Sequence, residues 1–318
     1  MSNALARTAA HAQREFAKVI VGQEEGLQLL LLTLVCRGHA LIEGVPGIAK
    51  TLAVRTLARL LRLRFQRVQC TPDLMPGDIL GANVFNMATS QFVLHQGPVF
   101  TDLLLVDEIN RMPPRTQAAL LEAMEERQVT TDGRTRPLSP AFTTFATQNP
   151  IEFEGTYPLP EAELDRFLVK IRVGYPRAEA SEEEAILRRY HEGFDARELG
   201  AVDLEPLPEG VLEEARRDVA AVRVEPAMFG YIAAIARRTR DWPALTLGAS
   251  PRAAINLMQL AKAMAALDGR DYLLPDDVKS AAPAVLRHRL VLKPEADLEG
   301  LDADQVIGDV LHAIEVPK

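Results

Sequence analysis

The sequence predicts an α/β core with a five-stranded parallel sheet, followed by an all-α helical domain. Apolar runs with the length of buried strands alternate with helical patterns over the first 173 residues, and a glycine-rich turn joins the first strand to a helix. Beyond residue 175 strand alternation stops and amphipathic helical segments follow. We therefore place an α/β core over residues 1–175 and a helical domain over residues 176–318.

The composition narrows the class of protein. A chain of 318 residues favours two domains, and 47% hydrophobic with 25% charged residues is ordinary for a globular protein. The 36 Lys and Arg against 44 Asp and Glu give a net charge of −8, which argues against nucleic acid as the main partner. The longest apolar run, residues 27–36, is too short to span a membrane, and no secretory signal is recognisable, so a cytoplasmic protein is expected. Cys36 and Cys70 are interpreted as buried thiols in a reducing compartment.

Five segments have the length and apolar character of strands in a parallel sheet. Arg64 to Cys70 alternates between polar and apolar residues, and Leu103 to Val106 is apolar throughout, as expected when helices cover both faces of a sheet. Two hairpins are predicted over residues 83–94 and 128–137, the second on the turn Asp132-Gly133. The strands are predicted over residues 40–42, 64–70, 103–106, 141–147 and 168–173.

Helical periodicity defines the remaining elements. Ser181 with Glu184 forms a capping box, and Pro251 lies at the first turn of a helix that starts after Ser250. The run Arg287-His288-Arg289 is expected to be a solvent-exposed helix end. Helices are predicted over residues 4–18, 25–36, from Lys50 onward, 116–127, 181–193, 209–222, 226–239, 250–267 and 275–289.

Residues 40–52 combine a strand, a glycine-rich turn and a helix start. A turn of small residues lets consecutive backbone N–H groups surround an anion, and the following helix adds the positive end of its dipole. This arrangement predicts a phosphate-binding loop, in which Lys50 binds the β- and γ-phosphates and the Thr51 hydroxyl binds Mg²⁺. Alanine replaces one usual glycine at position 49, and its single methyl group is expected to be tolerated. The predicted nucleotide contacts are Gly44, Val45, Pro46, Gly47, Ile48, Ala49, Lys50, Thr51 and Leu52.

Asp107 and Glu108 follow directly after the apolar strand 103–106. Ligands of parallel α/β sheets bind at the carboxyl ends of the strands, so both carboxylates are expected near the phosphate-binding loop. Asp107 suits the Mg²⁺ ion, and Glu108 suits a base that polarises an attacking water. An Asp that caps a helix is the alternative, which the phosphate-binding loop makes the weaker one.

Three further residues and one short segment carry weaker signals. Asn149 ends a strand and could orient the lytic water, although Asn-Pro is a common turn. Val21 and Gly22, with Gln23, could form one wall of a base pocket or a plain helix connection. Arg166 lies in an acidic segment, where a surface ion pair is the usual role. Arg252 opens a helix, against the preference for acids there, and either faces a phosphate or reaches a neighbouring carboxylate.

With these residues in place, the chain resembles the MoxR family of AAA+ ATPases, in the helix-2-insert clade. The resemblance extends over about residues 10–315, and alanine at the loop position is familiar in this family. Its motifs occur in the family order, at residues 21–23, 44–51, 106–111, 146–150, 163–167 and 250–252.

The resemblance implies roles that spacing alone does not give. Asn149 matches the first sensor, Arg166 the arginine finger offered to a neighbouring subunit, and Arg252 the second sensor in the helical lid. The hairpin at 83–94 resembles the insert that marks the clade, and the Asp132-Gly133 hairpin resembles one that lines the centre of a ring. Similar proteins form ATP-driven hexameric rings that act as chaperones for other protein complexes, often with a partner that contains a von Willebrand factor A (VWA) domain.

The expected reaction is hydrolysis of ATP to ADP between two subunits. Thr51 and Asp107 would hold Mg²⁺, Glu108 would activate water that Asn149 aligns, and Arg166 of the next subunit would stabilise the developing charge. Three alternatives stay open: a DNA-remodelling motor, a metal-chelatase motor subunit, and a nucleotide-gated scaffold. Arg134 and Arg136 of the second hairpin favour the first, whereas the intact acidic pair argues against the last.

Overall fold

Strands and helices alternate through the first part of the chain, and helices fill the rest. The computed structural model describes residues 3–88, 90–150, 155–175 and 181–317. Within these ranges the strands are β1 (Ala40–Glu43), β2 (Phe65–Gln69), β3 (Gly81–Asn86), β4 (Gln91–Gln96), β5 (Leu103–Asp107), β6 (Gln128–Thr131), β7 (Arg134–Pro137), β8 (Thr143–Gln148), β9 (Val169–Arg172), β10 (Leu245–Leu247) and β11 (Val291–Leu292). The helices are α1 (Ala4–Phe16), α2 (Glu24–Val35), α3 (Lys50–Leu60), α4 (Pro76–Leu80), α5 (Pro114–Glu126), α6 (Glu161–Leu164), α7 (Ser181–His191), α8 (Val211–Ala221), α9 (Pro226–Arg240), α10 (Pro251–Leu267), α11 (Pro275–Leu286), α12 (Pro294–Leu298) and α13 (Ala303–His312).

A parallel sheet in the order β2-β5-β8-β1-β9 forms the centre of the core. Consecutive residues of a strand face opposite sides of a sheet. Leu103 and Leu105 of β5 therefore pack into one hydrophobic cluster, together with residues of α1, α2 and α3. Leu104 and Val106 pack into a second cluster on the other face, together with residues of α5. The predicted five-stranded parallel sheet with a helical domain after it is confirmed.

Both predicted hairpins are present. The first consists of β3 and β4, paired from Gly81↔Gln96 to Asn86↔Gln91, and is longer than the predicted range. The second consists of β6 and β7, and its turn residues Asp132 and Gly133 have φ angles of 50° and 73°. Two consecutive positive φ angles are the backbone of a two-residue hairpin turn, which explains the Asp-Gly pair.

The helical part contains the predicted helices as α7 to α11, with one difference. A pair of short strands, β10 and β11, joins Leu245 to Leu292 in antiparallel pairing, so the expectation of purely helical structure there is wrong. Strands of two or three residues are too short for an alternating pattern to show in the sequence. The described residues also contain α12 and α13, which were not predicted.

The expected solvent-exposed helix end at residues 287–289 is wrong. The side chains of His288 and Arg289 are buried, with 7% and 5% of their surface exposed. Arg289 donates to the Asp165 carboxylate at 2.6 Å and to the Phe167 carbonyl at 2.6 Å, just before β9. The local sequence does not indicate this burial, because these acceptors of Arg289 lie more than 120 positions away in the chain.

The first two helices pack against the helical part as well as against the sheet. The amide of Leu5 donates to the Asp218 carboxylate at 3.0 Å, and residues of α1, α2, α8 and α10 share one hydrophobic cluster. The segment 176–180, where the domain boundary is predicted, lies outside the described residues. Cys70 is buried as expected, but Cys36 is only half-buried. No helix in the described ranges is long and apolar enough to cross a bilayer.

Candidate functional site

The predicted phosphate-binding loop joins β1 to α3. A Cβ at Gly44 would lie 2.4 Å from the carbonyl oxygen of Val173, so only glycine fits there. Gly47 and Ala49 have φ angles of 85° and 61°, and this left-handed conformation costs a residue with a side chain about 1–2 kcal/mol. Lys50 donates from Nζ to the Gly44 carbonyl at 2.5 Å. The loop thus has the curved backbone of a phosphate-binding loop in spite of the alanine, and the ammonium group lies over it.

The helix that follows the loop aims its amino end at the same place. Lys50, Thr51 and Leu52 form the first turn of α3, and all three are half-buried. Backbone N–H groups in the first turn of a helix have no partner within the helix, and the helix dipole is positive at this end. The start of α3 is therefore suited to bind phosphate oxygens.

The acidic pair is held between β5 and β8 by one threonine. Asp107 is the last residue of β5, and Glu108 follows with a φ angle of 60°. The Thr147 hydroxyl donates to Asp107 Oδ1 at 2.6 Å and accepts the Glu108 N–H at 2.9 Å. The left-handed turn at Glu108 and this hydroxyl together direct the two carboxylates away from the end of β5.

Three residues that sequence reasoning missed contact the acidic pair. Arg67 of β2 pairs with Asp107 Oδ2 at 2.7 Å, Gln69 donates to Glu108 Oε2 at 3.1 Å, and Arg111 donates to the same oxygen at 3.2 Å. Arg67 and Gln69 are two residues apart on β2, so they face the same side of the sheet, and β2 pairs with β5. Polar residues on a strand of a buried sheet were the signal that could have identified them.

Asn149 completes one edge of the sheet. It follows β8 directly and is 5% exposed, and β8 lies between β5 and β1. Because all five strands are parallel, the loop after β1, the acidic pair after β5 and Asn149 after β8 lie together at the carboxyl edge. Nearby, burial and the charges of Asp107 and Glu108 raise the pKa of the Cys70 thiol to about 12, so that it stays protonated.

A pocket of about 210 Å³ opens beside the loop. Val21 and Gln23 form part of its wall, and Gln23 donates to the Ile48 carbonyl at 3.1 Å. Gly22 lies against another element, since a Cβ there would be 2.8 Å from Glu182 Oε2. Of the two interpretations of residues 21–23, the geometry agrees with a pocket wall. The other lining residues are Val19, Ile20, Pro46, Gly47, Ile48, Ala49, Leu52, Tyr175, Ile186, Arg189, Tyr190 and Phe194.

The helical part contributes an apolar wall that sequence reasoning missed. Ile186, Arg189 and Tyr190 lie three and four residues apart on α7, so they share one face of the helix. The Tyr190 and Phe194 rings pack edge to face with centroids 5.5 Å apart. A pocket with aromatic side chains in its wall, next to a phosphate-binding loop, suits the base of a nucleotide.

Arg166 and Arg252 do not join this site within the chain. Arg166 Nε pairs with Glu125 Oε2 at 3.0 Å, and Arg252 donates to Glu125 Oε1. Glu125 lies at the other edge of the sheet, because its neighbour Met124 accepts from His39, the residue before β1, at 3.2 Å. Both arginines are therefore at the amino edge, on the far side of the sheet from their own phosphate-binding loop.

Comparison with known families identifies two segments of the chain. Residues 39–169 match the family model described as ATPase family associated with various cellular activities (AAA). Residues 237–310 match the model described as AAA lid domain. The first match contains the loop, the acidic pair and Asn149, and the second contains Arg252.

Similar proteins resemble the chain over nearly its whole length. The uncharacterized protein YeaC of Bacillus subtilis is 43% identical, with 94% of this chain and 92% of that protein covered. The chaperone MoxR1 of Mycobacterium tuberculosis is 42% identical, with 96% and 81% covered. A crystal structure of a Cytophaga hutchinsonii protein, provisionally assigned as an ATPase, is 40% identical with a TM-score of 0.88, over 99% of this chain and 96% of that one.

Proposed function

Since the chain belongs to the MoxR family of AAA+ ATPases, we propose that it is an ATP-driven chaperone whose active sites are shared between neighbouring copies. Nucleotide binding and ATPase activity follow from the family. The observation that carries the shared site is the separation of the candidate residues: the loop and the acidic pair lie at one edge of the sheet, and Arg166 and Arg252 at the other.

One copy supplies the nucleotide-binding half of the site. Lys50 exchanges the Gly44 carbonyl for the β- and γ-phosphates of ATP, and the amino end of α3 binds phosphate oxygens. The oxygens of Asp107 and Thr51 are ligands of the kind that Mg²⁺ prefers, so these residues fit the ion that the family implies. When bound, Mg²⁺ would neutralise phosphate charge. Arg67, which already pairs with Asp107, keeps that carboxylate oriented.

Glu108 is proposed as the base that takes a proton from the attacking water. Its Oε2 accepts from both Gln69 and Arg111, which orients the carboxylate, and its second oxygen can accept that proton. Asn149, buried between the acidic pair and the loop, is proposed to align the water. Phosphoryl transfer depends mainly on such positioning and on electrostatics.

The neighbouring copy supplies the second half. Arg166 and Arg252 at the amino edge of one copy are proposed to reach the nucleotide bound at the carboxyl edge of the next. A head-to-tail contact of this kind closes into a ring when its rotation permits, and a ring of six copies agrees with the family. A VWA-domain partner and a cytoplasmic location are proposed on the same ground.

The hairpin of β3 and β4 favours a protein client over DNA. Phe85 and Phe92 are paired across its strands with ring centroids 5.2 Å apart, yet 48% and 70% of their surfaces are exposed. Val84, Met87 and Val93 of the same hairpin are also exposed. Exposed apolar patches mark protein contacts, whereas a DNA motor would need basic groups in their place.

The test measures phosphate release per copy as protein concentration rises, with excess ATP and Mg²⁺. For the wild type we expect a specific rate that climbs to a plateau, because a shared site needs assembly. We expect Arg166→Ala to lower the plateau by about 10³-fold or more, since arginine fingers contribute roughly 10³ to 10⁵, while ATP binding is retained. A rate independent of concentration and of Arg166 would show that each copy has a complete site and would refute the proposal.

A further inference from the structure

Glu125, near the end of α5, contacts both arginines that are proposed to act on a neighbouring copy. Its Oε2 pairs with Arg166 and its Oε1 accepts from Arg252, so each guanidinium has its own carboxylate oxygen. The side chains stay accessible, with 28% of Arg166, 43% of Arg252 and 35% of Glu125 exposed. One negative charge thus lies between two cations on the surface of the amino edge.

A partly buried network of hydrogen bonds fixes the backbones that carry these two arginines. Asp165, the residue before Arg166, accepts from the Ser250 hydroxyl at 2.9 Å and from Arg289 at 2.6 Å. Ser250 caps α10 through the Ala253 N–H, two residues before Arg252. The network fixes where the two side chains begin. The direction of their guanidinium groups depends on other contacts, and Glu125 is the partner that both arginines share.

We propose that Glu125 is a positioning residue that holds Arg166 and Arg252 side by side as one two-arginine unit directed at the nucleotide of the neighbouring copy. Two cations this close repel each other, and an exposed arginine samples many rotamers. A carboxylate between them removes the repulsion and restricts both rotamers. A γ-phosphate has several oxygens, so two oriented guanidinium groups can bind it together. The inference rests on the proposed function, because it requires both arginines to act in trans.

The test compares Glu125→Gln with Glu126→Gln in the full chain, at protein concentrations on the plateau. Glutamine keeps the shape and one acceptor oxygen but removes the charge that the arginines share. We expect Glu125→Gln to lower kcat about tenfold, which is a part of the roughly 10³ to 10⁵ that an arginine finger contributes. The KM for ATP should change less than about twofold, because the phosphate-binding loop of the same copy is distant from Glu125. Glu126, on the same helix, is exposed and has no ion pair among the described residues, so its variant should match the wild type.

A double-mutant cycle separates positioning from a merely structural role. In an Arg252→Ala background only Arg166 remains to be positioned, so Glu125→Gln should cost about threefold there instead of tenfold. A structural defect in α5 would cost the same factor in both backgrounds. Glu125→Asp keeps the charge with a shorter reach and should recover part of the rate.

The outcomes are distinct. Equal rates for the Glu125→Gln and Glu126→Gln variants, a faster Glu125→Gln variant, a KM that changes as much as kcat, or an equal cost in both backgrounds would each overturn the positioning role. Full turnover by Arg166→Ala would overturn the proposed function and this inference together. Loss of turnover in Arg166→Ala with a wild-type rate in Glu125→Gln would overturn this inference alone.

Discussion

Single side chains at the carboxyl edge are held by hydrogen bonds that leave little freedom. Thr147 bridges the Asp107 carboxylate and the Glu108 backbone, and the Glu108 carboxylate is shared by Gln69 and Arg111. These contacts fix the direction of the two acids before any ligand binds. Such preorganisation is the main source of rate in phosphoryl transfer.

Glu108→Gln is expected to bind ATP but to lower turnover by at least about 10²-fold, because an amide cannot accept the proton of the attacking water. Glutamine retains the shape and the oxygen that Gln69 and Arg111 contact, so the fold and the loop should be unaffected. Single-turnover hydrolysis and retention of labelled ATP on the protein measure the two effects. Glu122→Gln, an exposed change on α5, is the control. Hydrolysis by Glu108→Gln at the control rate would remove the base assignment.

Among the elements, α7 connects the helical part to the pocket beside the phosphate-binding loop. Its Ile186, Arg189 and Tyr190 face the pocket, while Leu187 is 71% exposed on another side. Only one face of the helix thus lines the pocket that is proposed for the base. The aromatic ring of Tyr190 supplies a flat surface against which a base can stack.

Tyr190→Ala is expected to weaken ATP binding about tenfold, since stacking of a base on an aromatic ring is worth roughly 1–3 kcal/mol. Leu187→Ala on the same helix should leave the affinity unchanged within about twofold. Titration calorimetry with a non-hydrolysable ATP analogue measures both dissociation constants. Equal weakening by the two variants would mean that the substitutions lower the affinity by destabilising α7, and that Tyr190 does not stack on the base.

Elements with local signals were predictable from the sequence, and contacts between distant segments were not. The loop around Lys50, the apolar strand before Asp107 and the Asp132-Gly133 turn each carry their pattern within a few residues, so their structure followed from periodicity and turn chemistry. The pairing of β10 with β11 and the burial of Arg289 depend on partners far along the chain. The pocket wall at residues 21–23 was predictable because these residues are adjacent in the chain to a recognisable loop, whereas Tyr190 is far from it in the sequence.

On the scale of the whole molecule, the two faces of the sheet rest on different cores. One hydrophobic cluster joins α1, α2, α3 and the helical part, and the other joins β5 and β8 with α5. His39 lies where the sheet meets α5: it is buried, Nδ1 accepts the Thr144 N–H at 2.9 Å, and Nε2 contacts the Met124 carbonyl at 3.2 Å. Protonation of Nδ1 would set a second donor against the Thr144 N–H.

The free energy of unfolding is expected to fall as the pH drops below about 6.5. Burial, helped by the Arg127 charge, lowers the pKa of His39 from 6.5 to about 3, so between these values the unfolded chain binds a proton that the folded chain does not. Each such histidine lowers the free energy of unfolding by about 1.4 kcal/mol for every pH unit by which the pH falls in this range. Burial and Arg289 also lower the pKa of His288 well below its ordinary value.

Urea unfolding at pH 7, 6 and 5 measures this slope above the range in which carboxylates titrate. His39→Gln still offers an acceptor to the Thr144 N–H, and it should reduce the dependence of the unfolding free energy on pH by about 1.4 kcal/mol per pH unit. A free energy of unfolding that stays constant from pH 7 to pH 5 would contradict the buried neutral state of both histidines.

The first helix reaches its partners in the helical part only after most of the chain has been made. Leu5 bonds to Asp218, and the Asn3 side chain donates to the Ala266 carbonyl at 2.5 Å, which are separations of 213 and 263 residues. At about 5–20 residues per second of synthesis, the contacts of α1 with the helical part become possible only about 10 to 50 s after α1 has been made. During that interval the apolar residues of α1 that pack on α8 and α10 stay exposed to solvent. The protein proposed here as a chaperone is therefore itself expected to need protection while it is being synthesised.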